Sequence, residues 1–270
     1  MPALTATPFT LAETFMRIWI LLIGVFCSIW CYAQKESAPV DTWNVYPIPT
    51  SKDTLLTYNR SQKAWQLFSH EGEVYAKAKP PKILDLLPFK FEETNRNFFQ
   101  FGGRRSVLQV ENGYLVGFDN GEFGGSLYWF SPGGKFREKI SGSQVVQFMK
   151  RDGRIYAIEG FSHMDFSFGR MIELKRDAGE WKANHYVTLP SAPLAVDIDS
   201  NNNFIVATDK SLLRIDSLLK IDTLIREGFW KIYLYPSSLL VRGGIVYVGM
   251  REGILKFTIP TRKQEWLMPE

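Results

Sequence analysis

A histidine and a carboxylate stand close together in the segment GFSHMDFSFGR (160–170), where His163 precedes Asp165 by two residues. A histidine beside a carboxylate can act as a general base or as a metal ligand. A metal site needs three or four ligands, however, and the other histidines, His70 and His185, lie in distant parts of the chain. The pair is a candidate site but does not identify a reaction, because solvent-exposed loop residues without a function would give the same pattern.

A second group of polar residues belongs to the glycine-rich stretch GFDNGEFGG (117–125), which carries Asp119 and Glu122. Paired carboxylates that face one cleft can hydrolyse glycosidic bonds. The glycines by themselves are typical of a tight turn between two strands. The chain has no Gly-x-Ser-x-Gly, His-Glu-x-x-His or phosphate-binding glycine motif. The catalytic residues, if any, are therefore unknown from the sequence, and no cofactor is predicted.

The stretch DIDSNNN (197–203) begins like a calcium-binding loop, with carboxylate or amide oxygens at alternate positions. The likeness ends there, because Asn202 occupies the position of the glycine and Thr208 that of the closing glutamate. A polar hairpin turn accounts for the stretch. The sequence therefore predicts no metal site.

These residues fall within a pattern that recurs four times: a strand, a tight polar turn and a second strand. The four copies are SVLQVENGYLVGF (106–118), VVQFMKRDGRIYAI (145–158), PLAVDIDSNNNFIVAT (193–208) and SLLVRGGIVYVGM (238–250). Their turn residues tolerate the positive φ angles of hairpin turns. A third strand and a more polar fourth strand follow each hairpin, and the unit repeats about every 40 to 50 residues, the size of one β-propeller blade.

A more degraded copy precedes these four within residues 44–78, with its first turn near Lys52 and Asp53. The surplus that follows it, 79–103, is interpreted as an inserted loop or short hairpin, because its prolines are unsuited to a central strand. The sequence thus predicts an all-β fold, a β-propeller of five four-stranded blades. The blades are expected at about 41–79, 104–141, 142–190, 191–227 and 228–270.

A closed ring is the physical reason for such a repeat. A single four-stranded sheet exposes apolar side chains on both faces and an unpaired edge, whereas blades that pack side by side bury the faces and leave only short edges. A β-sandwich, the alternative, also has short strands at regular spacing. It does not require the four-strand unit to recur.

The segment GGIVYVGMREGILKFTI (243–259) carries glycines and aromatic residues at spacings that resemble the repeat of two-component-regulator and related sensor propellers. The matching residues are Gly244, Tyr247, Gly249, Gly253, Ile254 and Phe257. The resemblance implies a propeller fold rather than an activity. It also implies a third function beside the two considered below, that of a sensor domain within a larger assembly.

Residues 1–33 differ from the rest of the chain and are predicted to be a signal peptide. Arg17 is followed by an uncharged apolar run (18–30), and small residues suit cleavage after Ala33. The run is short for a membrane-spanning helix, and an uncleaved anchor is the alternative. Both cysteines of the chain lie in this segment, so the mature chain, 34–270, is expected to be a single disulfide-free domain in the periplasm or outside the cell.

In a propeller, the turns between second and third strands share one rim with the connections between blades. This rim would gather most of the candidate residues together with the insert 79–103, and a ligand is expected there. The candidate ligand-binding residues are Arg104, Arg105, Asp119, Glu122, His163, Asp165, Asp209 and Arg251.

Two functions fit this arrangement. The first is an exported binding or scaffolding module, a monomer that holds a protein, peptide or glycan on the rim. The alternative is a hydrolase or lyase that acts on a carbohydrate or lactone, which requires Asp119, Glu122, His163 and Asp165 to converge at the ring axis. The formal net charge is only +4 and the basic residues are scattered, so nucleic acid is not an expected partner. No membrane span is expected after removal of the signal peptide.

Overall fold

The computed structural model describes residues 38–269 except for 62, 80–85, 91–100 and 165. The predicted signal peptide (1–33) and much of the predicted insert (79–103) lie outside the described residues, and so does Asp165. Strands make up most of the described chain. The predicted all-β class is therefore confirmed.

The N-terminal part of the described chain combines strands with a short helix. Its elements are β1 (Asn44–Tyr46), α1 (Lys52–Asn59), β2 (Ala64–His70) and β3 (Glu73–Lys79). The hairpin turn predicted near Lys52 and Asp53 is wrong, because these residues begin α1. Ser51 caps the helix, since its side chain accepts a hydrogen bond from the backbone N–H of Thr54 at 3.2 Å. The strands β2 and β3 pair as a hairpin, which is called sheet I here.

Four sheets follow, each folded as an antiparallel meander from one contiguous stretch of chain. Sheet II consists of β4 (Arg104–Val110), β5 (Gly113–Asp119), β6 (Gly125–Phe130) and β7 (Arg137–Ser141). Sheet III consists of β8 (Val145–Arg151), β9 (Arg154–His163), β10 (Phe166–Asp177) and β11 (Glu180–Leu189). Sheet IV consists of β12 (Pro193–Ile198), β13 (Phe204–Thr208), β14 (Leu212–Ile215) and β15 (Ile221–Ile225). Sheet V consists of β16 (Ser238–Arg242), β17 (Ile245–Gly249), β18 (Ile254–Thr258) and β19 (Lys263–Met268), and β1 pairs with β19 as a fifth strand.

The turns between first and second strands use the residues that the sequence pattern requires. Asp152 and Gly153 have φ angles of 50° and 72°, and Gly243 and Gly244 have φ angles of 55° and 78°. Positive φ at both central positions is the geometry of the tight turns that match the twist of a hairpin. The four-strand unit predicted from these turns is confirmed in sheets II to V.

Side chains of the first strands connect one sheet to the next. The Ser106 hydroxyl of β4 donates a hydrogen bond to the carbonyl of Val146 in β8 at 2.6 Å. The Gln147 amide of β8 bonds Val196 of β12 twice, donating to its carbonyl at 2.9 Å and accepting from its N–H at 3.2 Å. Backbone groups that an edge strand would leave unpaired are thereby satisfied across the interface between sheets.

Side-chain hydrogen bonds also connect sheet IV to sheet V and sheet V to the N-terminal hairpin, sheet I. Asp197 of β12 accepts a hydrogen bond from the backbone N–H of Val241 in β16 at 2.8 Å. Ser238 of β16 donates to the carbonyl of Trp65 at 2.8 Å and accepts from the N–H of Leu67, both in β2. The first strands therefore lie side by side in the order β4, β8, β12, β16, β2, so that the last sheet lies beside the first. This succession is consistent with blades and not with the two facing layers of a sandwich.

Apolar side chains fill the spaces between neighbouring sheets. Tyr156 of sheet III packs against Phe204 of sheet IV with ring centroids 5.1 Å apart. Trp230, Trp266 and Ile205 are fully buried in the cluster between sheets IV and V. Burial of apolar surface between the sheets is thus the main source of stability in this part of the chain.

Candidate functional site

A cavity of about 430 Å³ opens where the second strands end and the next sheets begin. Four of the predicted site residues line it, each supplied by a different loop or strand end. These residues are Arg104 at the start of β4, Asp119 at the end of β5, His163 at the end of β9 and Asp209 after β13. The structure therefore brings residues from sheets II, III and IV together on one rim.

Arg104 and Asp119 form an ion pair at the edge of sheet II. The two residues are paired in register across β4 and β5, and an Arg104 Nη2 lies 2.8 Å from Asp119 Oδ2. Asp119 is buried, and its second oxygen accepts a hydrogen bond from the N–H of Gly121 at 3.1 Å. Both oxygens of Asp119 are thus engaged, whereas more than half of the Arg104 side chain is exposed.

His163 has a different carboxylate partner from the one the sequence suggested. Its Nε2 lies 3.1 Å from Glu122 Oε2, and both side chains are partly exposed. Glu122 belongs to the 3-10 turn Gly121–Phe123 of sheet II, so the pair bridges sheets II and III. Asp165, the partner expected from the sequence, lies outside the described residues.

Asp209 is a buried carboxylate that lines the cavity. Its Oδ2 accepts a hydrogen bond from the Ser167 hydroxyl at 2.8 Å, and that hydroxyl accepts one from the N–H of Ala192 at 2.9 Å. The other oxygen, Oδ1, is buried without a hydrogen-bond partner among the described residues. Asp209 is 7% exposed, so this incomplete bonding is costly unless something else supplies a donor.

A second cavity, of about 590 Å³, adjoins the first. Both are lined by the same five residues, which are Ser162, Met164, Asp209, Lys231 and Ile232. The two cavities together are called the rim cleft here. Lys210, Arg226 and Glu227 contribute charge to its second half.

The connection between β15 and β16 supplies part of the cleft that sequence reasoning missed. Lys231, Ile232 and Tyr235 of this connection line the first cavity, and Ile232 and Tyr235 are exposed. A signal was present in the stretch FWKIYLYPSS (229–238), which is a long connection rich in aromatic residues. Aromatic side chains in a blade connection on the ligand-binding rim are candidates for contact with a ligand.

Three described residues of the predicted site, Arg105, Glu122 and Arg251, do not line the cleft, and Glu122 is connected to it through its pair with His163. Arg105 lies on the opposite face of β4 from Arg104, with its guanidinium 5.8 Å from the centroid of the Phe118 ring, and burial lowers its pKa. Arg251 donates hydrogen bonds to the carbonyl and the side-chain oxygen of Asn59. Its guanidinium also lies 4.7 Å from the ring centroid of Tyr235, so it makes a cation–π contact with a cleft residue.

The described residues contain no group of three or more histidine, cysteine and acidic side chains that could hold a metal ion. The stretch 197–203 is a closed turn instead. Asp199 Oδ1 accepts hydrogen bonds from the N–H groups of Asn201 and Asn203, both at 2.9 Å. The carboxylate is satisfied within the turn, as expected for a polar hairpin turn.

Comparison with known proteins gives distant structural neighbours only. No family model matches the chain, and no curated protein matches it. The structural neighbours include the extracellular domains of two proposed hybrid two-component systems from B. thetaiotaomicron, at TM-scores of 0.42 and 0.41 and identities of 11% and 13%. The chain aligns over 78% and 77% of its length to these domains but spans only 28% of theirs. A proposed gluconolactonase is a further neighbour, with a TM-score of 0.36, 12% identity, and coverage of 59% of this chain and 71% of that one.

Within the described part of the chain, no helix has the length and apolar character needed to cross a membrane.

Proposed function

We propose that the protein is an exported, five-bladed β-propeller that acts as a binding module and holds its ligand in the rim cleft. Residues 1–33 would be the signal peptide, and the mature domain (34–270) would act as a monomer in the periplasm or outside the cell. In this proposal the blades 104–141, 142–190, 191–227 and 228–270 would contain sheets II to V, and the first blade, 41–79, would contain sheet I.

The observation that carries this proposal is the composition of the rim cleft. Charged side chains from three sheets meet an apolar wall that includes Phe161, Ile232 and Tyr235. Cavities of several hundred Å³ with an apolar lining and a few convergent polar groups are typical of ligand sites. The loops that form this one are held by hydrogen bonds and ion pairs, so that the site is largely formed before a ligand arrives.

Exposed apolar side chains beside the cleft support binding of an extended partner. Met164 and Phe166, in the β9–β10 hairpin, are 88% and 72% exposed, and Ile232 is 61% exposed. Isolated exposed apolar residues are ordinary, but a group of them around a cleft is typical of an interaction site. The partner classes considered are a protein, a peptide or a glycan.

Two carboxylates of the predicted catalytic set, Asp119 and Glu122, favour binding over hydrolysis. A glycosidase needs one carboxylic acid and one free carboxylate on either side of the scissile bond. Asp119 has both oxygens engaged, and Glu122 is paired with His163. Neither is poised as an unpartnered base, and this is the reason that we place the hydrolase or lyase second.

The test compares two aromatic truncations of equal exposure. Tyr235→Ala removes a cleft residue that is 45% exposed, and Phe68→Ala removes a residue of sheet I that is 44% exposed. Both purified variants and the wild type are applied to glycan and peptide arrays and to immobilised extracellular extract. The proposal predicts that Tyr235→Ala loses the wild-type binding signals and that Phe68→Ala keeps them. Equal binding by all three proteins would contradict it, and release of a cleaved product from a bound glycan or lactone would favour the enzyme instead.

A further inference from the structure

The middle of the rim cleft contains a hydrogen-bond acceptor that no described residue satisfies. Asp209 lines both halves of the cleft, it is 7% exposed, and its Oδ1 has no donor among the described residues. Its other oxygen is fixed by Ser167, which in turn is fixed by Ala192. The carboxylate is therefore held in place with one buried oxygen that lacks a hydrogen-bond donor among the described residues.

Three basic residues line the same half of the cleft as this carboxylate. Lys210, Arg226 and Lys231 line the second half of the cleft with Asp209 and Glu227, which gives a net charge of +1. None of the three cations forms an ion pair with a carboxylate of the described residues. An approaching ammonium group would meet a net repulsion here, whereas an anion would be attracted. The donor that suits Asp209 is thus a neutral one, such as a hydroxyl group.

The apolar wall sets a further requirement on the ligand. Phe161, Ile232 and Tyr235 line the first half of the cleft, next to the polar pair of Arg104 and Asp119. A ligand that spans both halves must present apolar surface to these side chains and hydrogen-bonding groups to the charged ones. Sugar rings do both, since their C–H faces pack on aromatic rings and their hydroxyl groups donate and accept.

From these features we infer that the rim cleft binds an acidic oligosaccharide. A sugar hydroxyl donates to Asp209 Oδ1, the anionic substituent lies against Lys231 and Arg226, and a neighbouring sugar ring packs on Tyr235. The inference rests on the proposed function, because it names the ligand class of the same cleft. Carboxylated and sulfated sugars share this chemistry, and the experiment separates them.

The experiment measures binding by calorimetry with a panel of short oligosaccharides. The carboxylated probes are trimers of galacturonate, glucuronate, mannuronate and guluronate, the sulfated probe is a carrageenan oligomer, and the neutral match is galactotriose. The proteins are the wild type, Asp209→Asn, Lys231→Met and the control Lys77→Met, which removes the same charge from exposed β3. Asp209→Asn keeps an oxygen for the Ser167 hydroxyl, so the local structure should survive.

We expect at least one acidic probe to bind the wild type about tenfold or more tightly than galactotriose, with affinity that falls as salt is added. Asp209→Asn and Lys231→Met should each weaken that binding by about tenfold or more, while Lys77→Met leaves it unchanged. Thermal melting without ligand gives an independent reading. Asp209→Asn should melt no lower than the wild type, because it removes a buried charge with incomplete hydrogen bonding.

Three results would overturn the inference: no acidic probe binds, neutral and acidic trimers bind equally, or Asp209→Asn binds its acidic probe as the wild type does. These results leave the proposed function standing as long as Tyr235→Ala still loses wild-type array or extract signals. If Tyr235→Ala keeps all such signals, the proposed function itself fails. The two failures are therefore distinguishable.

Discussion

The carboxylate of Asp41 joins the N-terminal segment to sheet V, and its removal should destabilise the domain. Tyr247 of β17 donates its hydroxyl hydrogen to this carboxylate, at 2.9 and 3.0 Å from the two oxygens. Lys256 Nζ of β18 lies 2.6 Å from Asp41 Oδ1. Three residues after Asp41, the chain enters β1, which pairs with β19. Asp41 therefore fixes the point at which the N-terminal end of the chain meets the C-terminal sheet.

The size of the effect follows from burial. Tyr247 is 2% exposed, so Asp41→Ala leaves a buried hydroxyl without its acceptor, which costs about 1–3 kcal/mol. Burial and then the Asp41 carboxylate raise the pKa of Tyr247, as expected for a hydroxyl that is held protonated in its hydrogen bond. Half of the Asp41 side chain is exposed, so the ion pair with Lys256 adds only about 0–1 kcal/mol. A loss near 2 kcal/mol corresponds to a fall in Tm of about 4–8 °C for a domain of this size.

Urea denaturation of a double-mutant cycle measures this contact. The proteins are the wild type, Asp41→Ala, Tyr247→Phe and the double variant. Tyr247→Phe removes the hydroxyl together with its need for an acceptor, so Asp41→Ala should cost much less in the Phe background. A loss below about 0.5 kcal/mol for Asp41→Ala, or the same loss in both backgrounds, would refute the reasoning.

The hairpin turns could be predicted from the sequence, whereas the pairing of the N-terminal strand with the C-terminal sheet could not. Asp152 and Gly153 predict a hairpin turn because few residues adopt positive φ angles. The other three hairpins were predicted from their turn residues in the same way. The helix α1 is not predicted because Lys52 and Asp53 are interpreted as a hairpin turn, whereas Ser51 before them caps a helix. The pairing of β1 with β19 joins residues more than 200 positions apart, as in Val45 opposite Leu267, and no local pattern encodes it.

The site was predictable at the level of the rim but not of individual side chains. Arg104 and Arg105 were both chosen, although neighbouring residues of a strand point to opposite faces and only Arg104 lines the cleft. Lys231 and Tyr235 were not predicted, because the aromatic residues of their connection (229–238) indicate contact with a ligand only once the connection is known to lie on the rim. Whether such a connection covers the rim depends on its path in space, which the types of its residues do not specify.

Substitutions at Gly117 and at Asp197 test the packing of neighbouring sheets, with urea denaturation as the measurement. A Cβ atom at Gly117 would lie 2.4 Å from Val145 Cβ of the next sheet, so Gly117→Ala should lower the free energy of unfolding by about 1–3 kcal/mol. The control Gly142→Ala should be nearly neutral, because a Cβ atom there meets nothing within 4 Å. Equal effects of the two substitutions would contradict close packing at Gly117. Burial raises the pKa of Asp197, and hydrogen bonds from the backbone, including that of Val241, offset the shift only in part. Because the folded-state pKa exceeds the unfolded one, the native state binds more protons between these two values, and stability falls as pH rises through this window. Asp197→Asn keeps an acceptor for the Val241 N–H without the charge, so it should flatten this slope and gain stability at neutral pH, whereas Asp197→Ala should lose about 1–3 kcal/mol. A pH–stability curve for Asp197→Asn that parallels the wild type would mean that the ionised carboxylate is not penalised at this interface.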